Sequence, residues 1–579
     1  MGELLRRFMP GHRAHAVIGM LCKAVEVVFD LLTPVIVARM VDVGVRTGDT
    51  AEVMRLGGLL VLLACVGYCF TLVCQKMAAL TSQGMGTQIR DAVFSRVMDL
   101  GAADVDRFGT PSLVTRLTSD VNQVQVAVAL GIRQLIRWPI LAVGSIVAAC
   151  LINLRLGLVF LGCTVVVFAV FFLVMGRSVP YFRGMQERLD RISTITREAL
   201  SGVRVIRAFR QEGRERARFR EAAFDQAGVA VAVGKLSSLL SPASLVVMNL
   251  GVVAVLWQGG RLVDAGGLTQ GQIVAFVNYK TQALVSITYV ANLVVVFTRA
   301  DASAGRVMEV LACEPSVRDG FGAGPSDAPA GCPVLELEGV GFTYAGAPAE
   351  ALAGVTLSLP AGGTLGVIGG PGSGKSTLVS LVPRLYDATE GVVRVCGQDV
   401  RGWRLADLRH QVALVPQHTS LVSGTIRDNL LWRDASATDE DLWRALELAQ
   451  AADFVRERPE GLDSPVEAGG RNFSGGQRQR LTIARALVGH PRLVLLDDAA
   501  SALDFATDAR LRAALRTLAP ETATLVVSQR VSAVMAADQV LVLDHGRVAG
   551  LGTHEELMGT CQLYREICLS QLRREEVGA

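Results

Sequence analysis

A bundle of six membrane-spanning helices followed by an α/β domain with a parallel sheet is the fold class that the sequence predicts. Two observations carry it. Long apolar runs are confined to the part of the chain before about residue 300, and they lift the hydrophobic share of the 579 residues to 51% and the mean hydropathy to +0.39. Runs of this kind can cross the ~30 Å hydrocarbon layer of a bilayer as helices. Beyond them stands Gly369-Gly370-Pro371-Gly372-Ser373-Gly374-Lys375-Ser376-Thr377-Leu378, preceded by the mostly apolar Leu365-Gly366-Val367-Ile368. Glycine, four residues, then Gly-Lys-Ser between a strand and a helix is the pattern of a phosphate-cradling loop, or P-loop. Its glycines let backbone N–H groups turn inward, and the helix that follows points its positive dipole end at the same anion. On this pattern Lys375 meets the β- and γ-phosphates of a nucleoside triphosphate, and the Ser376 hydroxyl meets Mg²⁺.

The spans are expected at 15–42, 53–80, 127–152, 155–176, 236–258 and 271–298. The links after the first, third and fifth are short, whereas 81–126 and 177–235 are long, charged and helical in period. Arginines crowd Arg177 to Arg220, which places that face, and with it the N-terminus and the nucleotide domain, on the cytoplasmic side. Arg6, Arg7, His12 and Arg13 precede the first span without a cleavage site and read as a cytoplasmic lead-in. Domain boundaries follow: 1–312 for the membrane domain with its cytoplasmic extensions, a Gly/Pro/Ala/Asp-rich linker at 313–333, and 334–579 for the nucleotide domain. Lys23, Glu26 and Asp30 share one face of the first span. Either they line a substrate pathway or they form a structural ion pair near the interface. Eleven cysteines include no C-x-x-C pair, and several fall in apolar runs, so neither disulfides nor a metal site is expected of them. A net charge of +3 without interleaved basic and aromatic residues argues against a nucleic-acid partner.

In the second domain, 334–337, 342–344, 412–415, 493–496, 524–527 and 540–543 read as strands. Leu493-Val494-Leu495-Leu496 ends in Asp497-Asp498, and Asp497 at such a strand end can reach Mg²⁺ through water.

Between loop and strand lies Asn472-Phe473-Ser474-Gly475-Gly476-Gln477-Arg478-Gln479-Arg480, whose Ser-Gly-Gly-Gln resembles the signature of ATP-binding cassette (ABC) transporters. Other landmarks match in order. Tyr344 resembles the aromatic residue that stacks on adenine, and Gln417 the glutamine that senses Mg²⁺ and the membrane domain. Ser501-Ala502-Leu503-Asp504 resembles the loop that crosses between two cassettes. Thr115 to Val121 and Gly202 to Phe209 resemble the two cytoplasmic loops of exporter-type half-transporters, so the likeness covers nearly the whole chain. It implies the type IV ABC exporter fold, ATP and Mg²⁺ as ligands, and a second half-transporter as partner. Each ATP would lie between the Gly369–Thr377 loop of one cassette and a Ser474–Gln477 signature of the other.

The sequence departs from the family at two places. Asp498 stands where a catalytic glutamate is usual, and Gln529 where a histidine contacts the γ-phosphate. Aspartate sets its carboxylate back by about 1.5 Å, a bond length, and a displacement near 1 Å can cost on the order of 100-fold in rate. Gln529 can donate a hydrogen bond but cannot carry an imidazolium charge. The pattern resembles the slow-site subunit of heterodimeric multidrug exporters: ATP is bound but split poorly, and the intact signature completes a partner's site. A heterodimer in the inner or plasma membrane, moving amphipathic drugs, lipids or peptides, is therefore expected. A fully active homodimer, a chelate importer on the same architecture and a regulatory ATP-binding subunit are the alternatives.

Overall fold

The computed structural model describes residues 1–322, 331–518 and 520–571. It forms two compact units, one of Met1–Arg96 with Pro111–Cys313, the other of Val97–Thr110 with the chain from Glu314 onward.

The first unit is all helical. Among the described residues, five helices are long and apolar enough to cross a membrane: Thr50–Asp99, Thr110–Ile152, Leu154–Ser201, Pro242–Asp264 and Gln270–Ala312. The expected first span falls in Arg13–Arg39, 27 residues that would extend about 40 Å. Its length suffices, but Lys23, Glu26 and Asp30 put three charges into its apolar stretch, where each of the other five carries no more than two. The expected span at 236–258 is displaced. One helix ends at Ser238 and the next begins at Leu240 and runs to Asp264. Gly259 and Gly260, read as the start of a link, lie inside that helix, where Gly259 lets Ile273 of the next helix come close. Asn153 turns the chain between Ile152 and Leu154 by accepting the N–H groups of Arg155 and Leu156 at 3.1 and 3.2 Å.

Polar contacts tie the helix ends of this unit. Asp42 accepts the Thr269 hydroxyl at 2.5 Å and the Gly271 N–H at 2.8 Å, so it adds a negative charge where Thr269 already caps the helix Gln270–Ala312. Gly271 is required there: a Cβ would stand 2.0 Å from the Ala38 carbonyl oxygen. Toward the opposite end of that helix, Arg306 holds Asp120 through two bonds, at 2.8 and 2.5 Å, and Arg116 pairs with Glu309 at 2.9 Å.

Among the described residues, the second unit contains twelve strands. They are β1 (Leu335–Phe342), β2 (Leu352–Leu359), β3 (Thr364–Gly369), β4 (Glu390–Val395), β5 (Gln398–Asp399), β6 (Val412–Val415), β7 (Gly424–Thr425), β8 (Pro465–Val466), β9 (Leu493–Asp497), β10 (Ala523–Val527), β11 (Gln539–Asp544) and β12 (Arg547–Gly552). The main sheet has the order β12-β11-β3-β10-β9-β6, parallel except for β12. A second, antiparallel sheet, β2-β1-β4-β5, was not foreseen. The two short strands expected at 334–337 and 342–344 are one strand, β1, carried across by irregular pairing at Glu338–Gly341, where Gly339 has φ +57°. Tyr344 lies beyond its end. The core between the sheets is apolar and includes the fully buried Trp403. Within the expected linker, Gly320 and Gly322 donate to the carbonyls of Trp403 and Gly402 at 3.0 and 2.7 Å, which fastens that stretch to the domain; 323–330 lie outside the described residues.

Parallel strands end on a common edge, and that edge sets the site. Val527 pairs with Val367 on one side and Asp497 on the other, so the ends of β3, β10 and β9 stand in a row.

Gly271→Ala tests the close helix crossing. Overpacking of this kind should cost about 1–3 kcal/mol, read as a lowered Tm of the chain in detergent.

Candidate functional site

The loop leaving β3 folds over the start of the helix Lys375–Leu381. Two features make glycine necessary in it. Gly374 has φ +95°, and a Cβ on Gly369 would sit 2.2 Å from the Leu543 carbonyl oxygen. The Lys375 ammonium donates to the carbonyls of Gly369 and Gly370 at 2.8 and 2.7 Å and to the Ser373 hydroxyl at 3.2 Å. Burial lowers its pKa, because the charged form has lost water. Ser376 Oγ donates to Asp497 Oδ1 at 3.1 Å, and burial raises the pKa of Asp497.

These groups open on a cavity of about 430 Å³. Tyr344, Pro371, Gly372, Ser373, Gly374, Lys375, Ser376, Thr377, Gln417, Asp497, Asp498 and Gln529 all line it, so most of the residues expected to hold nucleotide and metal come together. Tyr344 stands at its margin with its hydroxyl 3.1 Å from Thr377 Oγ1. It packs edge-on against Phe342 and Tyr386, with ring centres 4.8 and 5.6 Å away. The chemistry of the cavity fits a nucleoside triphosphate with Mg²⁺. It combines a glycine loop in which Gly369 and Gly374 leave no room for a Cβ, a lysine cation, and a hydroxyl beside a carboxylate, oxygen donors that suit a hard divalent ion.

Asp498 has φ +49°, a left-handed backbone, and its N–H donates to the Val527 carbonyl at 3.0 Å. Gln529 is exposed, and its carbonyl accepts the Gln571 amide at 2.8 Å.

Ser474, Gly475, Gly476, Gln477 and Asp504 are not among the residues that line this cavity. Ser474 caps the helix Gly475–Leu487: its Oγ accepts the Gln477 N–H at 3.3 Å while Gln477 Oε1 accepts the Ser474 N–H at 3.0 Å. Ser474 and Gly475 are exposed, so this helix start is free to meet another molecule. Asp504 caps Phe505–Leu515 by accepting the Thr507 N–H at 2.9 Å, a bond that lowers its pKa.

In the membrane unit, Lys23 and Glu26 are both buried and pair at 2.7 Å. Arg137 completes the group by bonding Glu26 and by reaching Asp30 at 3.1 Å. Two cations and two anions therefore balance. Arg137 also lies over the Trp138 ring, which stacks on Tyr289 at 4.2 Å. The sequence reading missed Arg137, although an arginine inside an apolar span was the signal. It also missed Gln479, a buried amide at helical spacing with the buried Thr482, Ile483 and Ala486. Tyr386 was missed as well. It donates to Asp106 at 2.5 Å and so attaches the short helix Ala102–Phe108 to the nucleotide domain, a contact without a sequence pattern.

Comparison with known proteins agrees with this geometry. The family model of the ABC transporter transmembrane region matches residues 16–287, and the ABC transporter model matches 352–501. An uncharacterized ABC transporter ATP-binding protein of Mycobacterium tuberculosis is 37% identical over 579 residues, 99% of each chain. A second such protein, from Bacillus subtilis, is 33% identical over 98% of each chain. A multidrug efflux ATP-binding/permease protein of Mycobacterium bovis is 31% identical over 97% of this chain and 47% of its own length.

Lys375→Ala should weaken binding of a fluorescent ATP analogue to the isolated chain by on the order of 10- to 100-fold, the worth of a charge-assisted contact. Ser474→Ala, outside the cavity, should leave that affinity within about twofold. In the membrane unit, Glu26→Gln leaves two cations with one anion and should destabilise by about 3–5 kcal/mol. Adding Lys23→Met should restore the Tm, and transport by that stable double variant separates a structural pair from a pathway.

Proposed function

The chain belongs to the ABC transporters, and from that premise we propose that it is the slow-site half of a heterodimeric exporter. It is a multi-pass membrane protein of exporter type with an ATP-hydrolysing domain, and ATP with Mg²⁺ is the ligand its cavity fits. The observation that carries the finer reading is the company kept by Asp498 and Gln529. Both line the same cavity as Lys375, Ser376 and Asp497, which keep the residue types that binding requires.

Lys375 would hold the β- and γ-phosphates, Tyr344 the adenine, and Ser376 with Asp497 and Gln417 the metal. Bound Mg²⁺ supplies neutralisation of phosphate charge. Asp498 is then the group left to orient water, with a reach shorter than glutamate's by about 1.5 Å. Gln529 offers the γ-phosphate a hydrogen bond without a positive charge. Both features spare binding and slow the chemistry. The exposed Ser474–Gln477 helix start, outside the chain's own cavity, supports its use in a partner's site, where N–H groups and helix dipole would meet a second γ-phosphate.

The partner is proposed to be a second half-transporter with the glutamate and histidine that this chain lacks. The matched relative of which this chain spans 47% supports such a pair, because it has length for two halves. Its printed name, multidrug efflux, supports amphipathic compounds as cargo. Closure of two ATP-bearing cassettes on the cytoplasmic face would turn the cavity outward, and hydrolysis would reset it.

The roles of the two half-sites separate by mutation. In the assembled transporter Ser474→Ala should reduce ATPase activity by about 100-fold or more, whereas Asp498→Asn should cost less than about threefold. Equal and near-total loss from both, or rapid phosphate release by the chain reconstituted alone in lipid with Mg²⁺, would show a full-rate site and overturn the assignment.

A further inference from the structure

The helix Gly475–Leu487 presents Ser474–Gln477 at its start and buries Gln479 on its inner face, where the residue is 1% exposed. A buried amide without partners costs about 1–3 kcal/mol, so the bonds of this side chain matter. Its Oε1 accepts the Ala502 N–H at 2.9 Å, and its Nε2 donates to the Asp498 carbonyl at 3.5 Å. Reversing the amide would face donor with donor and acceptor with acceptor, so the bonds fix its orientation. One side chain thus spans both ends of the turn from Asp498 to Ala502.

That turn sets the direction of Asp498. Its other internal bond runs from the Ser501 N–H to the Asp498 carbonyl, at 3.2 Å. Asp498 begins it in the left-handed region, which costs an L-residue roughly 1–2 kcal/mol and persists only where several contacts impose it. Gln479 is one of those contacts, and it is anchored on the helix that carries the signature. Asp498 lines the chain's own nucleotide cavity; Ser474 and Gly475 face outward.

The geometry points to Gln479 as a positioning residue for ATP hydrolysis: it ties the 498–502 turn, which begins in the chain's own cavity, to the helix whose start is the surface offered to a partner's nucleotide. This rests on the proposed pairing with a second half-transporter, but not on which of the two sites is slow.

The test uses the full chain in lipid nanodiscs with the subunit that copurifies, and MgATP as probe. Gln479→Met keeps length and burial but makes neither bond. Through the loosened signature rather than through Asp498, its kcat should fall on the order of 10- to 100-fold, well beyond the cost of Asp498→Asn, with KM within about twofold, and the Ala502 amide should exchange hydrogen faster while the Tm stays near that of the parent. Unchanged kcat, or a loss of kcat matched by the loss of folded protein, overturns the role. Should the methionine variant fail to fold, Gln479→Glu, which keeps an acceptor for Ala502 but sets a carboxylate against the Asp498 carbonyl, is read by the same two constants. Asp498→Asn measured alongside keeps the questions apart. If that variant abolishes turnover, the slow-site assignment fails while the Gln479 result stands.

Discussion

The nucleotide domain depends on two opposite charges buried on one edge of a parallel sheet. Lys375 and Asp497 each lie less than a tenth exposed at the ends of elements that the strand register brings side by side. Burial disfavours both charged forms, lowering the pKa of the lysine and raising that of the aspartate. The loop carbonyls and the Ser376 hydroxyl offset part of that cost without giving either group a full counter-charge. A polyanion accompanied by a divalent cation satisfies both at once.

The membrane unit meets the same problem by another solution. Lys23, Glu26, Asp30 and Arg137 sum to zero and pair with one another at the crossing of two helices, Arg13–Arg39 and Arg137–Ile152. In a medium that punishes lone charges, such a closed group keeps a polar helix inside an apolar bundle.

What the sequence revealed follows from the range of each interaction. The glycine loop, the signature and β9 were legible because their chemistry lies within a few neighbouring residues. The four main strands at 412–415, 493–496, 524–527 and 540–543 emerged within a residue or two of their reading, as short apolar runs with clear ends. Arg137 and Gln479 carry local marks, a charge in an apolar span and a place on a buried helix face, but their partners lie elsewhere along the chain and no pattern names them; Tyr386 carries no local mark at all. The antiparallel sheet escaped because β1 crosses a glycine bulge that reads as a break. Gly259-Gly260 misled in the opposite sense, since in a packed bundle glycine permits close approach as readily as it ends a helix.

The crossing of Ala38 over Gly271 has a mechanical meaning. Backbones this near leave little room for the helices to slide past one another, because shear would drive the Ala38 carbonyl into the neighbouring chain. Asp42 grips the same spot through two bonds that share one carboxylate, and both must release together. Drawing these helix ends apart therefore means giving up both bonds as well as the close backbone contact.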